Sequence, residues 1–363
     1  AAAERHSISR LWKQSSGLMA RSVTQNAGDH GEHYITRDKR EYWVMFYSAA
    51  GGGVLIALMA LFKTYLGSII DDKVWKGVAE GLNYGLGFMV IFMLHFTVAT
   101  KQPAMTAARF AEAVEKTPQG KTVNMKLAQL LVDVFRSQSI AVLGNVLIAM
   151  GLAALIAFGY QYKTGEPLMN ADQIAYQLHS IDPFAGTLWF AAIAGVWLFC
   201  SGIISGYFDN RSNYLNMRMR LAQHPLLKKL MSEKTRVKFA NYMHENYGSL
   251  IGNLCFGMLL GITGVVGYLT HLPLDIRHVA FSSANVGYIA VSGHFTYSLL
   301  LQCIGFVLLI GLVNLIVSFS LTLWVALRSL NAEIDSWWPI WHEVCQIVRK
   351  RPLSLFFPVQ LDK

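Results

Sequence analysis

One uncharged stretch, residues 82–100, constrains the fold more than any other feature of this sequence. It contains no Asp, Glu, Lys or Arg and is rich in Leu, Phe, Met and Val. A helix of about 20 such residues is long enough to cross the hydrocarbon core of a bilayer. Lys101 ends the stretch, and Pro103 cannot donate a backbone hydrogen bond, so we expect the helix to break or kink at the membrane surface.

The composition of the whole chain favours a membrane protein. Of its 363 residues 53% are hydrophobic and 15% charged, whereas about 25% of an average soluble domain is charged. The four cysteines show no C-x-x-C spacing, so neither a disulfide framework nor a zinc site is expected. We predict no metal and no other cofactor.

Similar apolar runs recur and predict an all-α fold, a polytopic membrane bundle of six transmembrane helices with amphipathic cytoplasmic helices. A basic N-terminal segment, residues 1–41, precedes the bundle, and an amphipathic tail, residues 328–363, follows it. Because the chain begins at Ala1 without a signal-peptide pattern, we expect it to continue from an upstream region. The predicted spans are about residues 42–62, 82–100, 139–160, 184–208, 248–270 and 299–327.

The distribution of charge predicts the orientation of the bundle. The connection 101–138 carries six basic and three acidic residues, and the connection 209–247 carries eight and three, whereas the loop 161–183 has one Lys and three acidic residues. Basic and non-basic connections alternate, and by the positive-inside rule both termini are cytoplasmic. We therefore predict a multi-pass protein of the bacterial inner membrane whose cytoplasmic face binds anionic lipid headgroups.

Residues 272–293 form a weakly polar, mostly uncharged segment between the last two predicted spans. Its apolar patch, Val286 to Val291, is too short to cross a bilayer. The segment is either re-entrant or interfacial, or a plain loop, and the sequence leaves these alternatives open.

Polar side chains in or beside the spans are the candidate binding residues, because polar groups in hydrocarbon usually face protein or water. Lys101 and Asp209 end two spans at the same predicted face, where they either form an ion pair or reach separately into water. For an Asn inside a span, the alternative to binding is a hydrogen bond between helices. The candidate residues are His95, Lys101, Gln102, Asp209, Asn210, Arg211 and Asn314.

Three short sequence motifs resemble those of a known family. They are GEHYITRD at 31–38, ATKQPAMTA at 99–107 and SGIISGYFDN at 201–210. In these motifs the chain is similar to the bacterial membrane-protein family labelled "site-specific recombinase", of the Gcr type. The resemblance covers nearly the whole chain and implies the C-terminal membrane half of a longer protein, with no catalytic residue to carry over.

Three functions follow as hypotheses. No P-loop, G-x-G-x-x-G, H-E-x-x-H or G-x-S-x-G motif marks an enzyme. The first two hypotheses are transport and a membrane scaffold or assembly factor, acting with a protein partner or as a homo-oligomer. The third is DNA recombination, as the family label says, although membrane anchoring explains the basic connection around Arg218 and Arg220 without specific nucleic-acid binding.

Overall fold

A computed structural model describes residues 35–98, 102–115, 121–292, 295–330, 332, 334 and 336–358. Over these residues the fold is all-helical, without strands, which confirms the predicted class. Two short 3-10 turns, Pro183–Ala185 and Pro352–Leu355, accompany the α-helices. The α-helices are α1 (Lys39–Ile69), α2 (Lys73–Met93), α3 (Gln102–Glu115), α4 (Lys121–Thr164), α5 (Ala171–Ile181), α6 (Thr187–Tyr214), α7 (Met217–Gln223), α8 (Pro225–Leu230), α9 (Glu233–Thr270), α10 (Val279–Ala290), α11 (Tyr297–Leu330) and α12 (Trp338–Lys350).

Five helices are long and apolar enough to cross a membrane: α1, α6, α9, α11 and the part Asn124–Thr164 of α4. Their apolar surface is only partly covered by the rest of the protein. In the most apolar window of α11, for example, 28% of the residues are buried. Such helices are compatible with a membrane protein, because large exposed apolar surfaces are rare on soluble monomers.

The second predicted span, residues 82–100, has different bounds in the structure. Helix α2 starts earlier, at Lys73, because the Asp72 side chain caps it by accepting hydrogen bonds from the backbone of Val74 and Trp75. It ends at Met93, before a left-handed turn at His95 with a φ of 58°. Helix α2 is not among the five candidate spans, so the sixth crossing is not confirmed.

Two other predicted spans are parts of longer helices. Residues 139–160 lie within α4, which has 44 residues, and residues 248–270 are the second part of the 38-residue α9. The side chain of Ser232 caps α9 by accepting a hydrogen bond from Thr235, which places the start of the helix in the polar connection. The polar connections are therefore partly helical extensions of the spans.

The long helices form a closed bundle. Helix α1 packs between α2 and α4, α2 packs against α9, α9 against α6, and α6 against α11. Three of these pairs, α1 with α2, α2 with α9, and α9 with α6, are antiparallel: Lys63 of α1 contacts Glu80 of α2, for example, whereas the earlier Met59 contacts the later Asn83. Helix α4 runs parallel to α1, and α11 runs parallel to α6. We name the end of the bundle where α1 begins the near end and the end where α6 begins the far end.

Helix α10 completes the bundle between α4 and α11 and also contacts α1. Its side chains are buried on every face, including Val279, Ala284 and Ile289, and the Tyr288 hydroxyl donates to the carbonyl of Ala57 at 2.8 Å. The plain-loop alternative for residues 272–293 is therefore wrong. A helix of 12 residues is about 18 Å long and does not cross the roughly 30 Å of a bilayer core.

Candidate functional site

A non-helical segment lies within the bundle where α2 ends. Its Thr97 donates a backbone hydrogen bond to the carbonyl of Ser48 at 3.1 Å, and the Ser48 hydroxyl donates to His95 O at 3.0 Å. The Asn145 side chain of α4 donates from Nδ2 to Thr97 O at 2.9 Å and also to Ala49 O. We call Ser48, Ala49, Thr97 and Asn145 the near node.

Glycines on α1 allow the near node to form. A Cβ atom at Gly52 would overlap the carbonyl oxygen of Thr97, and one at Gly53 would lie 2.9 Å from the carbonyl oxygen of Asn145. Backbone that leaves a helix at membrane depth must find internal hydrogen-bond partners. The glycines bring the segment close to α1, and the buried Asn145 amide donates to the carbonyl of the non-helical Thr97 and to Ala49 O of α1.

A second buried asparagine holds the segment that enters α10. Asn314 of α11 donates from Nδ2 to Ala191 O at 2.8 Å and to Arg277 O at 3.0 Å, and its Oδ1 accepts from the backbone of Val279 at 3.1 Å. The backbone of Arg277 donates to Phe190 O at 3.2 Å. We call Phe190, Ala191, Arg277 and Asn314 the far node.

The side chain of Arg277 fills the space beside the far node. Its Nη1 lies 2.6 Å from Asp275 Oδ2, and its Nε donates to Ser180 O at 2.7 Å. The guanidinium carbon lies 5.3 Å from the centre of the Phe190 ring, within cation–π distance. Only 14% of the Arg277 side chain is exposed, so the arginine closes this position.

The corresponding place beside the near node is an open cleft. Its volume is about 500 Å³, within the size range of small-molecule sites. His95 is the predicted site residue that lines it, and Arg37 and Glu41 bring charge to its rim. The lining residues are Ile35, Thr36, Arg37, Glu41, Val44, Met45, Ser48, Phe92, His95, Phe96 and Thr97.

The predicted site residues do not form one cluster. Asn314 is in the far node and His95 beside the near node. The backbone of Gln102 begins α3, and Lys101 lies outside the described residues, so its ion pair with Asp209 stays a prediction.

The three predicted residues at the end of α6 have separate surroundings. Asp209 accepts a hydrogen bond from the backbone of Gly248 at 2.8 Å, and Arg211 donates to the Tyr207 hydroxyl at 3.4 Å. Asn210 is exposed. The end of α6 therefore contacts α9 and belongs to neither node.

Three features of the bundle were not predicted: the role of Asn145, the role of Arg277 and an ion pair between α1 and α2. Asn145 stands in an apolar run as Asn314 does, so the same signal marks both, but the closing role of Arg277 has no motif. Lys63 and Glu80 also form an ion pair, 3.4 Å apart, between α1 and α2, and no fixed sequence spacing indicates it. Within the described ranges no three His, Cys, Asp or Glu side chains gather as metal ligands would.

Comparison with known proteins gives one match. No curated protein and no solved structure matches the chain. A family model described as "Site-specific recombinase" matches residues 1–358, nearly the whole chain, in agreement with the resemblance of the three sequence motifs. The chain therefore belongs to the site-specific recombinase family.

Proposed function

We propose that this protein is a transporter, or the membrane subunit of one, in the bacterial inner membrane. The observation that carries the proposal is the pair of non-helical segments inside the bundle, each held by a buried asparagine, Asn145 or Asn314. Broken helices at membrane depth are tolerated where they line a protein-enclosed or water-filled cavity, and in transporters they form the substrate sites. The cleft beside the near node offers such a cavity.

The near end of the bundle faces the cytoplasm in this proposal. The connection that follows α6 is basic, and its helices α7 and α8 bury no residue. On α8 the exposed Leu226 and Leu230 accompany Lys228 and Lys229. An apolar face flanked by lysines suits the surface of a membrane with anionic headgroups. Both termini then lie in the cytoplasm, as the positive-inside rule predicts.

Solute efflux from proteoliposomes tests transport. Vesicles of phosphatidylethanolamine and phosphatidylglycerol are loaded with a bacterial small-metabolite extract, and mass spectrometry follows what leaves. We expect at least one solute to leave about tenfold faster than from protein-free vesicles, well above passive leakage. A path through the protein would spare a polar or charged solute the costly passage through the hydrocarbon of the bilayer.

Two tryptophan variants control the efflux assay. Val44→Trp narrows the cleft and is expected to slow efflux, whereas Leu58→Trp, on the same helix but away from the cleft, is expected to leave it unchanged. Efflux no faster than from protein-free vesicles would contradict transport and favour the scaffold alternative.

DNA recombination, the activity named by the family label, is the alternative from another class. A recombinase needs a Tyr or Ser nucleophile among side chains that hold the scissile phosphate. The Tyr214 side chain is 90% exposed at the end of α6, and the nearby Arg211 instead donates to Tyr207.

We expect no covalent protein–DNA adduct when the full-length protein is incubated with labelled bacterial DNA and denatured in detergent. DNA binding should be weak and should fall steeply with salt, as phosphate contacts do. A labelled protein band that disappears in the Tyr214→Phe variant would establish recombination chemistry instead.

A further inference from the structure

We infer that the bundle consists of two inverted copies of one helical unit. Each copy is a long helix, a second helix, a short helix and a third long helix, in this order along the chain. The first copy is α1, α2, α3 and α4, and the second is α6, α9, α10 and α11. The inference rests on contacts and does not depend on transport.

The two nodes repeat the same hydrogen bonds. In each, a backbone N–H after the second helix donates to a carbonyl of the first helix, from Thr97 to Ser48 and from Arg277 to Phe190, at 3.1 and 3.2 Å. In each node, an asparagine of the last helix donates two hydrogen bonds. One goes to the carbonyl of the first helix that follows the carbonyl just named, and the other goes to the carbonyl of the residue whose N–H was just named. These pairs are Asn145 to Ala49 and Thr97, and Asn314 to Ala191 and Arg277.

The sequences around the nodes agree as well. Residues 49–54 read AAGGGV and residues 191–196 read AAIAGV, so both begin with Ala-Ala and end with Gly-Val. The glycine of each Gly-Val pair lies close to the node asparagine of its own copy. A Cβ at Gly53 would lie 2.9 Å from Asn145 O, and one at Gly195 would lie 3.0 Å from Asn314 O. Residues 48–53 and 190–195 also match position by position in burial: the second, fifth and sixth residues of each stretch are buried and the others are partly exposed.

The contact between α2 and α9 shows how the copies are related. Gly81 packs against Gly261, and on either side Gly85 meets Gly257 and Gly77 meets Val265. The node residues Thr97 and Arg277 differ by 180 in number, so adding 180 to a residue of α2 gives its counterpart on α9. Gly81 and Gly261 are then counterparts that touch each other. The counterparts of Gly85 and Gly257 are Val265 and Gly77, so each flanking contact is the counterpart of the other.

Given the equivalence of the two nodes, this pattern places the two-fold axis between Gly81 and Gly261. Because α2 and α9 are antiparallel, the axis is perpendicular to the helices. The copies are therefore inverted, the arrangement found in several transporter folds.

Each copy also packs its short helix on the other copy. Helix α10 lies against α4, where a Cβ at Gly287 would overlap the carbonyl of Met150, and α3 lies against α11, where Ala107 and Phe319 share one apolar cluster. The exchange is reciprocal, as a two-fold axis requires.

The copies differ in the side chains that surround the nodes. Phe190, Asp275 and Arg277 close the far position, and their counterparts beside the near node are Ser48, His95 and Thr97, which leave the cleft open. The near cleft is thus the unfilled counterpart of the space that Arg277 occupies.

Distances between spin labels test the symmetry on a background without the four native cysteines. The counterpart of the pair Tyr47 and Leu312 is the pair Trp189 and Leu143, and all four side chains are exposed. The two helix pairs, α1 with α11 and α6 with α4, are unrelated unless the axis exists. We expect equal label distances, and a difference larger than one helical turn, about 5.4 Å, would overturn the repeat.

A transplant of side chains tests the counterpart relation without using transport. The triple variant Ser48→Phe, His95→Asp, Thr97→Arg builds the far closure into the near cleft, and the control carries Thr97→Gln instead of Thr97→Arg. We expect the triple variant to melt in detergent within about 3 °C of the parent and the control about 6 °C lower, because glutamine forms neither the ion pair nor the cation–π contact. A triple variant that melts no higher than the control, or does not fold, would overturn the equivalence of the two nodes.

Discussion

Replacement of Gly261 by alanine is expected to destabilise the bundle by about 3 kcal/mol or more, at the upper end of overpacking effects. The added Cβ would overlap backbone atoms of Gly81 and lie 2.7 Å from Gly77 O. Backbone atoms cannot rotate away as a side chain does, so α2 and α9 must move apart. Small residues at such crossings allow the close packing on which helix association in lipid depends.

Thermal unfolding in detergent measures this effect, with matched changes on other glycines. At Gly264, on the same helix, an added Cβ would meet only Asp275 Oδ1, at 3.8 Å, and at Gly305 it would meet nothing within 4 Å. Alanine at these positions should be neutral or stabilise by up to about 1 kcal/mol, because alanine favours helix over glycine. Equal melting temperatures for Gly261→Ala and Gly264→Ala would show that α2 and α9 do not pack this closely.

Replacement of Asn314 by leucine should cost about 2 to 5 kcal/mol, since it removes three buried hydrogen bonds of roughly 0.6 to 1.7 kcal/mol each. The backbone N–H of Val279 and the carbonyls of Ala191 and Arg277 would then lack the amide. We expect a lower melting temperature together with faster hydrogen exchange confined to residues 274–282. Asn145→Leu should loosen residues 94–98 in the same way.

Asn253 provides the control for the asparagine variants. It is also buried, but its Nδ2 donates within its own helix, to Ser249 O at 2.8 Å, and to no other helix among the described residues. Asn253→Leu should therefore cost less than either node variant and should leave exchange at both segments unchanged. A loss equal to that of Asn314→Leu would mean that the nodes do not hold the segments.

The sequence predicts the helical class because apolar runs of span length admit few other folds. It does not predict the break after Met93, since the apolar run continues through residue 100 and only the backbone turn at His95 ends the helix. It also leaves α10 ambiguous, because a weakly polar, uncharged segment of 12 residues suits a loop, an interfacial segment or a buried helix equally.

The candidate site was predicted only in part, for a related reason. Asn314 is visible as an amide in an apolar run, but its partners are backbone carbonyls, which carry no sequence signal. Arg277 is a lone arginine in a polar connection, and its role depends on Phe190 and Ser180, about 90 residues earlier in the chain. Long-range contacts of this kind follow from the packing of helices and not from local spacing.

The burial of α10 has a consequence for biosynthesis. The surface of α4 that α10 covers is complete once residue 164 has been made, whereas residues 279–290 leave the ribosome more than a hundred residues later. A segment of 12 residues is too short to be inserted by itself as a span. The newly made chain therefore carries an unfilled groove on α4 while more than a hundred further residues are made, and α10 can close that groove only after α6 and α9 have been synthesised.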